Sequence, residues 1–182
     1  MIMKLKLLAI VILLSSSATF AQIKKGQWMI GGDATFTSTK YTDNPTITEL
    51  SFNPAAGYFF MDKLAGGLRV DISTASYGSG SGSATSFFGS PFLRYYFLPV
   101  AQKVNLFADA SYGIGSVSAT GADTKSTTLM RIMVGPSIFL NQHTALQIAP
   151  FYRRKGATDL DDKTDTFGMA IGLQIHIGPQ GK

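Results

Sequence analysis

The chain has 182 residues, with 16 Lys and Arg against 11 Asp and Glu, a formal charge of +5 and no cysteine. That length suits one domain. The basic excess is too mild to argue for nucleic acid, and without cysteine neither a disulfide framework nor a thiolate metal site can form.

Residues 1–21 open on a short basic stretch, Met1-Ile2-Met3-Lys4-Leu5-Lys6. An apolar run from Leu7 to Leu14 follows, then Ser15, Ser16, Ser17, Ala18, Thr19, Phe20 and Ala21. A basic start, an apolar run and small residues before a cut make a secretory signal peptide. The run is too short to span a bilayer as a helix, which takes about 20 residues. Cleavage is expected before Gln22, leaving 22–182 as a single domain. No later segment approaches a helical span, so if this domain crosses a membrane, strands must do it.

Eight strands are predicted, at 26–39, 48–61, 64–77, 85–98, 104–117, 127–140, 144–155 and 165–177. The last is the clearest. Phe167, Met169, Ile171, Leu173, Ile175 and Ile177 alternate with Gly168, Ala170, Gly172, Gln174 and His176. Successive side chains of a strand point to opposite faces, so this strand has one apolar face and one small, polar face. Repeated alternation after an export signal marks a transmembrane β-barrel. The predicted fold is all-β, an eight-stranded antiparallel up-and-down barrel in the cell outer membrane. Short turns near 61–64, 99–103 and 141–144 alternate with longer polar loops near 40–47, 78–84, 118–126 and 156–164. An even strand count places both termini on the short-turn, periplasmic side.

In chain order, the first strand carries Trp28 and Phe36, eight residues apart on one face. Gly26-Gln27-Trp28 also matches the short G-x-W signature of lipocalins, which implies the alternative of a soluble exported barrel holding a small apolar ligand. The second strand repeats the aromatic spacing with Phe52 and Phe60, and the fourth with Phe87 and Tyr95. Eight residues climb about 20 Å in a tilted strand, close to the ~25 Å apolar band between aromatic girdles. Pro54, Pro91, Pro136 and Pro150 share the outward parity. Each deletes a ladder hydrogen bond, so local bulges are expected there.

The opposite face carries Asp33, Arg69, Asp71, Arg94, Asp109, Arg131 and Arg153 among glycines, serines and threonines. An eight-stranded barrel fills its interior with side chains, and charges there must be paired. Counted upward from the turns, Arg69, Asp71, Arg94 and Asp109 fall at similar heights, so one buried layer of these four is expected, with Asp33 in the same interior network. On the outward face Arg154 follows Tyr152 at the outer rim. Arg154, helped by Lys155, is the candidate contact to an anionic headgroup, since guanidinium suits phosphate.

No catalytic, cofactor or metal residue stands out, and the chain does not read as an enzyme. His143 falls in the third short turn and His176 low in the last strand, away from any outer Ser or Asp partner. Asp159, Asp161, Asp162 and Asp165 crowd the last loop without the spacing of a calcium loop and read as a solvated acidic loop. The Gly-Ser loop from Tyr77 to Ser83 reads as a flexible linker.

An internal repeat precedes the short turns: Asn53-Pro54-Ala55-Ala56-Gly57-Tyr58-Phe59-Phe60, Ser90-Pro91-Phe92-Leu93-Arg94-Tyr95-Tyr96-Phe97 and, more loosely, Gly135-Pro136-Ser137-Ile138-Phe139-Leu140. Blocks 53–71, 90–110 and 135–154, with 167–178, resemble the small outer-membrane β-barrel proteins of Gram-negative bacteria, in OmpX-like and OmpA-membrane-domain-like architecture. The chain departs from that pattern in closing on Ile177-Gly178-Pro179 without a terminal aromatic. The resemblance implies a structural or interaction role at the envelope. It also implies outer-membrane lipids including lipopolysaccharide as surroundings, the barrel-assembly machinery as partner during insertion, and a monomeric state. Its motifs name no activity, and eight strands leave no open channel for large solutes.

Overall fold

A computed structural model of the chain describes residues 23–39, 46–78, 82–100, 102–157 and 163–178. Eight strands occur in order: β1 (Trp28–Thr39), β2 (Ile47–Met61), β3 (Leu64–Tyr77), β4 (Ser83–Tyr96), β5 (Val104–Ala119), β6 (Lys125–Phe139), β7 (Thr144–Ala157) and β8 (Lys163–Ile177). Each pairs antiparallel with the next, and β8 pairs back onto β1 to close the barrel. The predicted leader 1–21, the acidic residues Asp159, Asp161 and Asp162, and the tail 179–182 lie outside the described residues.

The period-two pattern sorts the side chains as the alternation predicts. Trp28, Phe36, Phe52, Phe60, Phe87 and Tyr95 all stand exposed on the outer wall. Asp33, Arg69, Asp71, Arg94, Asp109, Arg131 and Arg153 are buried inside. Large apolar groups outside and charges inside is the inversion a barrel needs in hydrocarbon. A soluble barrel holding an apolar ligand would show the reverse. Trp28 of the G-x-W stretch is 53% exposed and stacks on Tyr58 outside, 5.2 Å between ring centres.

Several strands run further outward than the apolar pattern predicts. β4 begins at Ser83, β5 reaches Ala119, β6 begins at Lys125, β7 reaches Ala157 and β8 begins at Lys163. The apolar alternation ends where hydrocarbon ends, but the backbone ladder continues into water because each edge already has a neighbour. Asp165, grouped with the acidic loop although the predicted strand starts at it, lies within β8. At the periplasmic end β4 stops early, at Tyr96. Asn105 turns the chain there: its side-chain oxygen accepts from Leu98 N (3.0 Å) and its amide donates to Leu98 O (3.2 Å) and Pro99 O (3.3 Å). The connection after β4 is thus as long as the outer ones.

The prolines do not make bulges. In an antiparallel strand the N–H and C=O of one residue point to the same neighbour, so a proline weakens only one ladder. Pro54 pairs with Gly32 of β1, while the β2–β3 ladder skips from Phe52↔Ile72 to Ala55↔Arg69. Pro91 pairs with Leu68, while β4–β5 skips from Gly89↔Ile114 to Phe92↔Ser111. Pro136 and Pro150 share one gap in β6–β7, between Met133↔Phe151 and Ser137↔Gln147. Register is the same on both sides of each gap. The β2–β3 register shifts instead between Phe59 and Met61, at the tight turn where Lys63 takes φ 66°.

The barrel holds a buried apolar cluster at its periplasmic end and is most weakly laddered at its closing seam among the described residues. Residues 23–27 tuck under the barrel: Lys63 N donates to Ile23 O (3.0 Å), Gly26 N to Phe59 O (2.8 Å) and Phe59 N to Gln27 O (2.9 Å). Ile23 is thereby fully buried in a cluster with Met29, Phe59, Tyr96, Phe107 and Phe139. The closing ladder runs only from Trp28↔Ile177 to Thr35↔Ala170 and is the shortest among the described residues, although β1 continues to Thr39 and β8 starts at Lys163.

Candidate functional site

Above the apolar floor the interior charges stack in three tiers. In the lowest, Arg69 of β3 forks onto Asp109 of β5, with Nη1–Oδ1 at 2.9 Å and Nη2–Oδ2 at 3.0 Å. Arg94 of β4, directly across the ladder from Asp109, donates from Nε to Oδ2 (2.9 Å) and from Nη1 to Gln147 Oε1 (3.0 Å). Both guanidinium planes lie over rings, Arg69 over Phe92 at 5.0 Å and Arg94 over Phe107 at 4.5 Å. Bidentate, charge-assisted bonds and aromatic faces are what a desolvated arginine needs.

The middle tier is built by Arg131 of β6 with Asp33 and Asp71. Arg131 Nη2 donates to Asp33 Oδ1 at 2.5 Å, and its Nη1 lies 3.5 Å from Asp71 Oδ1, an ion pair too long to count as a hydrogen bond. Asn53 donates to Asp33 (2.8 Å) and Ser90 to Asp71 (3.0 Å). The upper tier joins Glu49 of β2 to Arg153 (2.6 Å) and Lys155 (3.1 Å), with Ser73 and Ser86 accepting from Lys155 Nζ at 3.3 Å each. Two arginines face one aspartate below, one arginine faces two aspartates in the middle, and Arg153 and Lys155 share one glutamate above. Each tier is off balance in alternating sign, so neighbouring tiers offset one another.

The expected single layer is therefore corrected. Arg69, Arg94 and Asp109 meet, but Asp71 turns to Arg131 one tier higher, and Asp33 joins it there. Height counted from the turns misleads because barrel strands are tilted and staggered around the wall. Lys155 is also corrected. It points inward to Glu49 and is no part of the outer rim. Its odd parity, shared with Arg153, already carried that signal. Glu49, Gln147 and Asn53 were missed; Glu49 shares its parity with the inward Ser51 and Asn53.

Arg154 does stand outside at the rim, but its fork is occupied by Asp165 of β8, at 2.6 and 2.8 Å. Tyr152 donates to the same carboxylate (2.9 Å) and packs on Phe167, 4.9 Å between ring centres. Arg154 is thus a neutralised rim residue. His176 sits in the floor, its ring 5.6 Å from Phe59 and 5.5 Å from Phe139. Among the described residues neither of its ring nitrogens has a hydrogen-bond partner, and no group of His, Cys, Asp and Glu is arranged to hold a metal ion.

Known proteins share this architecture. Neisserial surface protein A superposes with a TM-score of 0.63 at 14% identity, covering 83% of this chain and 99% of its own. The outer membrane protein OprG from Pseudomonas aeruginosa gives 0.53 at 15% identity, covering 90% and 100%. At such identities the likeness is one of fold. No curated protein matches the chain in sequence. The family model described as outer membrane protein beta-barrel domain matches residues 7–180. An apolar outer wall, a polar tiered interior and that match agree: the chain belongs to the outer-membrane protein β-barrel family, and its place is the cell outer membrane.

Proposed function

We propose that this barrel has a structural or interaction role at the cell envelope, admits no large solutes and is not an enzyme. The observation that carries the reading is the filled interior, with Arg69, Arg94 and Asp109 locked together across β3 to β5 directly above the apolar floor. Ion pairs without exposure on either partner leave little room for a solute path, and eight-stranded barrels are just wide enough for side chains. The non-catalytic part is supported by His176, whose neighbours are aromatic rings rather than a nucleophile. Fold alone names no activity.

Outer-membrane lipids, lipopolysaccharide included, are its proposed surroundings, with the barrel-assembly machinery as partner during insertion and the monomer as working state. At the outer rim Arg154 meets a headgroup only in competition with Asp165, so that contact is worth about 0–1 kcal/mol. The test is swelling of sugar-loaded proteoliposomes. They should swell no faster than protein-free vesicles. Sugar entry at the rate of an open porin would overturn the reading.

A further inference from the structure

The outer wall at the β1–β8 seam carries an apolar groove of about 410 Å³. Its floor is Gly32 and Ala34 of β1. Phe52 of β2 stands on one side, and Ile171 and Leu173 of β8 stand on the other. These ridges are two strand spacings apart, about 10 Å, which is the width of a single hydrocarbon chain between side chains. A second barrel would present a broad convex wall that does not enter so narrow a slot.

The lower end of the groove leads to the periplasmic rim. Trp28 lies six residues below Ala34 on the same face of β1 and stacks on Tyr58. Six residues at ~3.3 Å and ~40° tilt descend roughly 15 Å, half of a ~30 Å hydrocarbon core. The groove therefore reaches the bilayer middle while Trp28 sits at headgroup level, where indole prefers to be. Just beyond Trp28 come Lys24 and Lys25. The β2–β3 turn is held against them, with Lys25 N donating to Asp62 Oδ1 (2.8 Å) and Lys63 N to Ile23 O (3.0 Å). These backbone bonds bring the chain at Lys24 and Lys25 beside the turn that carries Asp62 and Lys63, three lysine positions against one aspartate.

We infer that the seam binds one phospholipid of the periplasmic leaflet with an anionic headgroup. The phosphate lies at Lys24, Lys25 and Lys63, and an acyl chain fills the groove over Ala34. This goes beyond the closed-barrel reading and rests only on membrane residence, so the swelling experiment and the one below can fail separately.

Trp28 is the only tryptophan of the chain, and brominated acyl chains quench indole on contact. The full folded protein in phosphatidylcholine vesicles receives equal mole fractions of dibrominated phosphatidylglycerol or dibrominated phosphatidylcholine. Quenching should correspond to about fivefold enrichment of the anionic lipid at Trp28, the size expected of one effective lysine at the surface. The triple variant Lys24→Gln, Lys25→Gln, Lys63→Gln should quench alike with both lipids. Ala34→Phe, which fills the groove from its exposed side, should cut the preference although the lysines remain. Gly32 is unsuited to this test, because a Cβ there would lie 2.8 Å from the Asn53 carbonyl. Unboiled gel migration verifies folding of each variant, and the parent comparison stands without them. Equal quenching in the parent overturns the site, as does a preference that Ala34→Phe leaves intact. Quenching that falls as protein density rises would mean that a second copy covers the seam, which overturns it too.

Discussion

The two ends of the barrel interior are filled by opposite chemistry. At the periplasmic end Ile23, Met29, Phe59, Tyr96, Phe107 and Phe139 pack as an apolar cluster in which even the buried His176 sits among rings. Above it the filling is built on ion pairs, with buried rings such as Phe92, Phe151 and Phe88 set between the charges. The lower end tolerates loss of a contact in proportion to the volume removed. The two lower charged tiers do not, because each charge there depends on a buried partner, whereas the top tier is partly open, with the Lys155 side chain 21% exposed. Each end therefore registers its own kind of damage: lost volume below, a stranded charge above.

Asp109→Ala should have the largest effect. It strands both Arg69 and Arg94, and breaking a buried pair typically costs about 3–5 kcal/mol. Urea unfolding in vesicles, followed by Trp28 emission, should show a loss at the upper part of that range; a loss under 1 kcal/mol would mean that water reaches the tier. Phe59→Ala in the floor should cost about 3 kcal/mol but leave the outer tiers intact, so hydrogen exchange should rise at the periplasmic ends of β1, β2 and β8 alone. Exchange rising equally at the Glu49 end would contradict independent filling. Glu49→Gln weakens two charge-assisted bonds at the partly buried top and should cost about 2 kcal/mol, measured in the same unfolding series. The smallest effect belongs to Arg154→Gln. Exposed pairs are worth about 0–1 kcal/mol, so its midpoint in urea should stay within error of the parent, and a shift as large as that of Glu49→Gln would give the rim ion pair a structural role.

Much of this was legible in the residues, for a physical reason. Alternation in β8 or β4 separates two faces, and the aromatic spacing on one with the charges on the other tells which meets hydrocarbon, so the inward placement of Arg69, Arg94 and Asp109 was legible from parity together with those marks. What parity cannot report is who meets whom across the lumen. Asp71 and Asp109 share a face, yet one finds Arg131 and the other Arg69, because stagger between strands sets height and leaves no periodic trace in sequence. Strand ends were blurred at the outer side for a related reason: Ser83, Lys125 and Lys163 extend the ladder beyond the apolar band, where nothing selects for alternation. The prolines were legible as ladder defects. Their confinement to one side of each strand became visible only once both neighbours were known.

The short seam between β1 and β8 has a consequence for how the molecule comes into being. Every other ladder joins strands adjacent in sequence and forms by simple hairpin extension. This one joins the two ends of the domain, Trp28 to Ile177 and Thr35 to Ala170, and it is the pairing of greatest sequence separation, which is the slow kind. Until it zips, β1 and β8 each present a bare row of N–H and C=O groups. Hydrocarbon offers those groups nothing. The barrel must therefore be nearly closed before it is immersed, or its two open edges must be covered on the way in by a strand lent from outside.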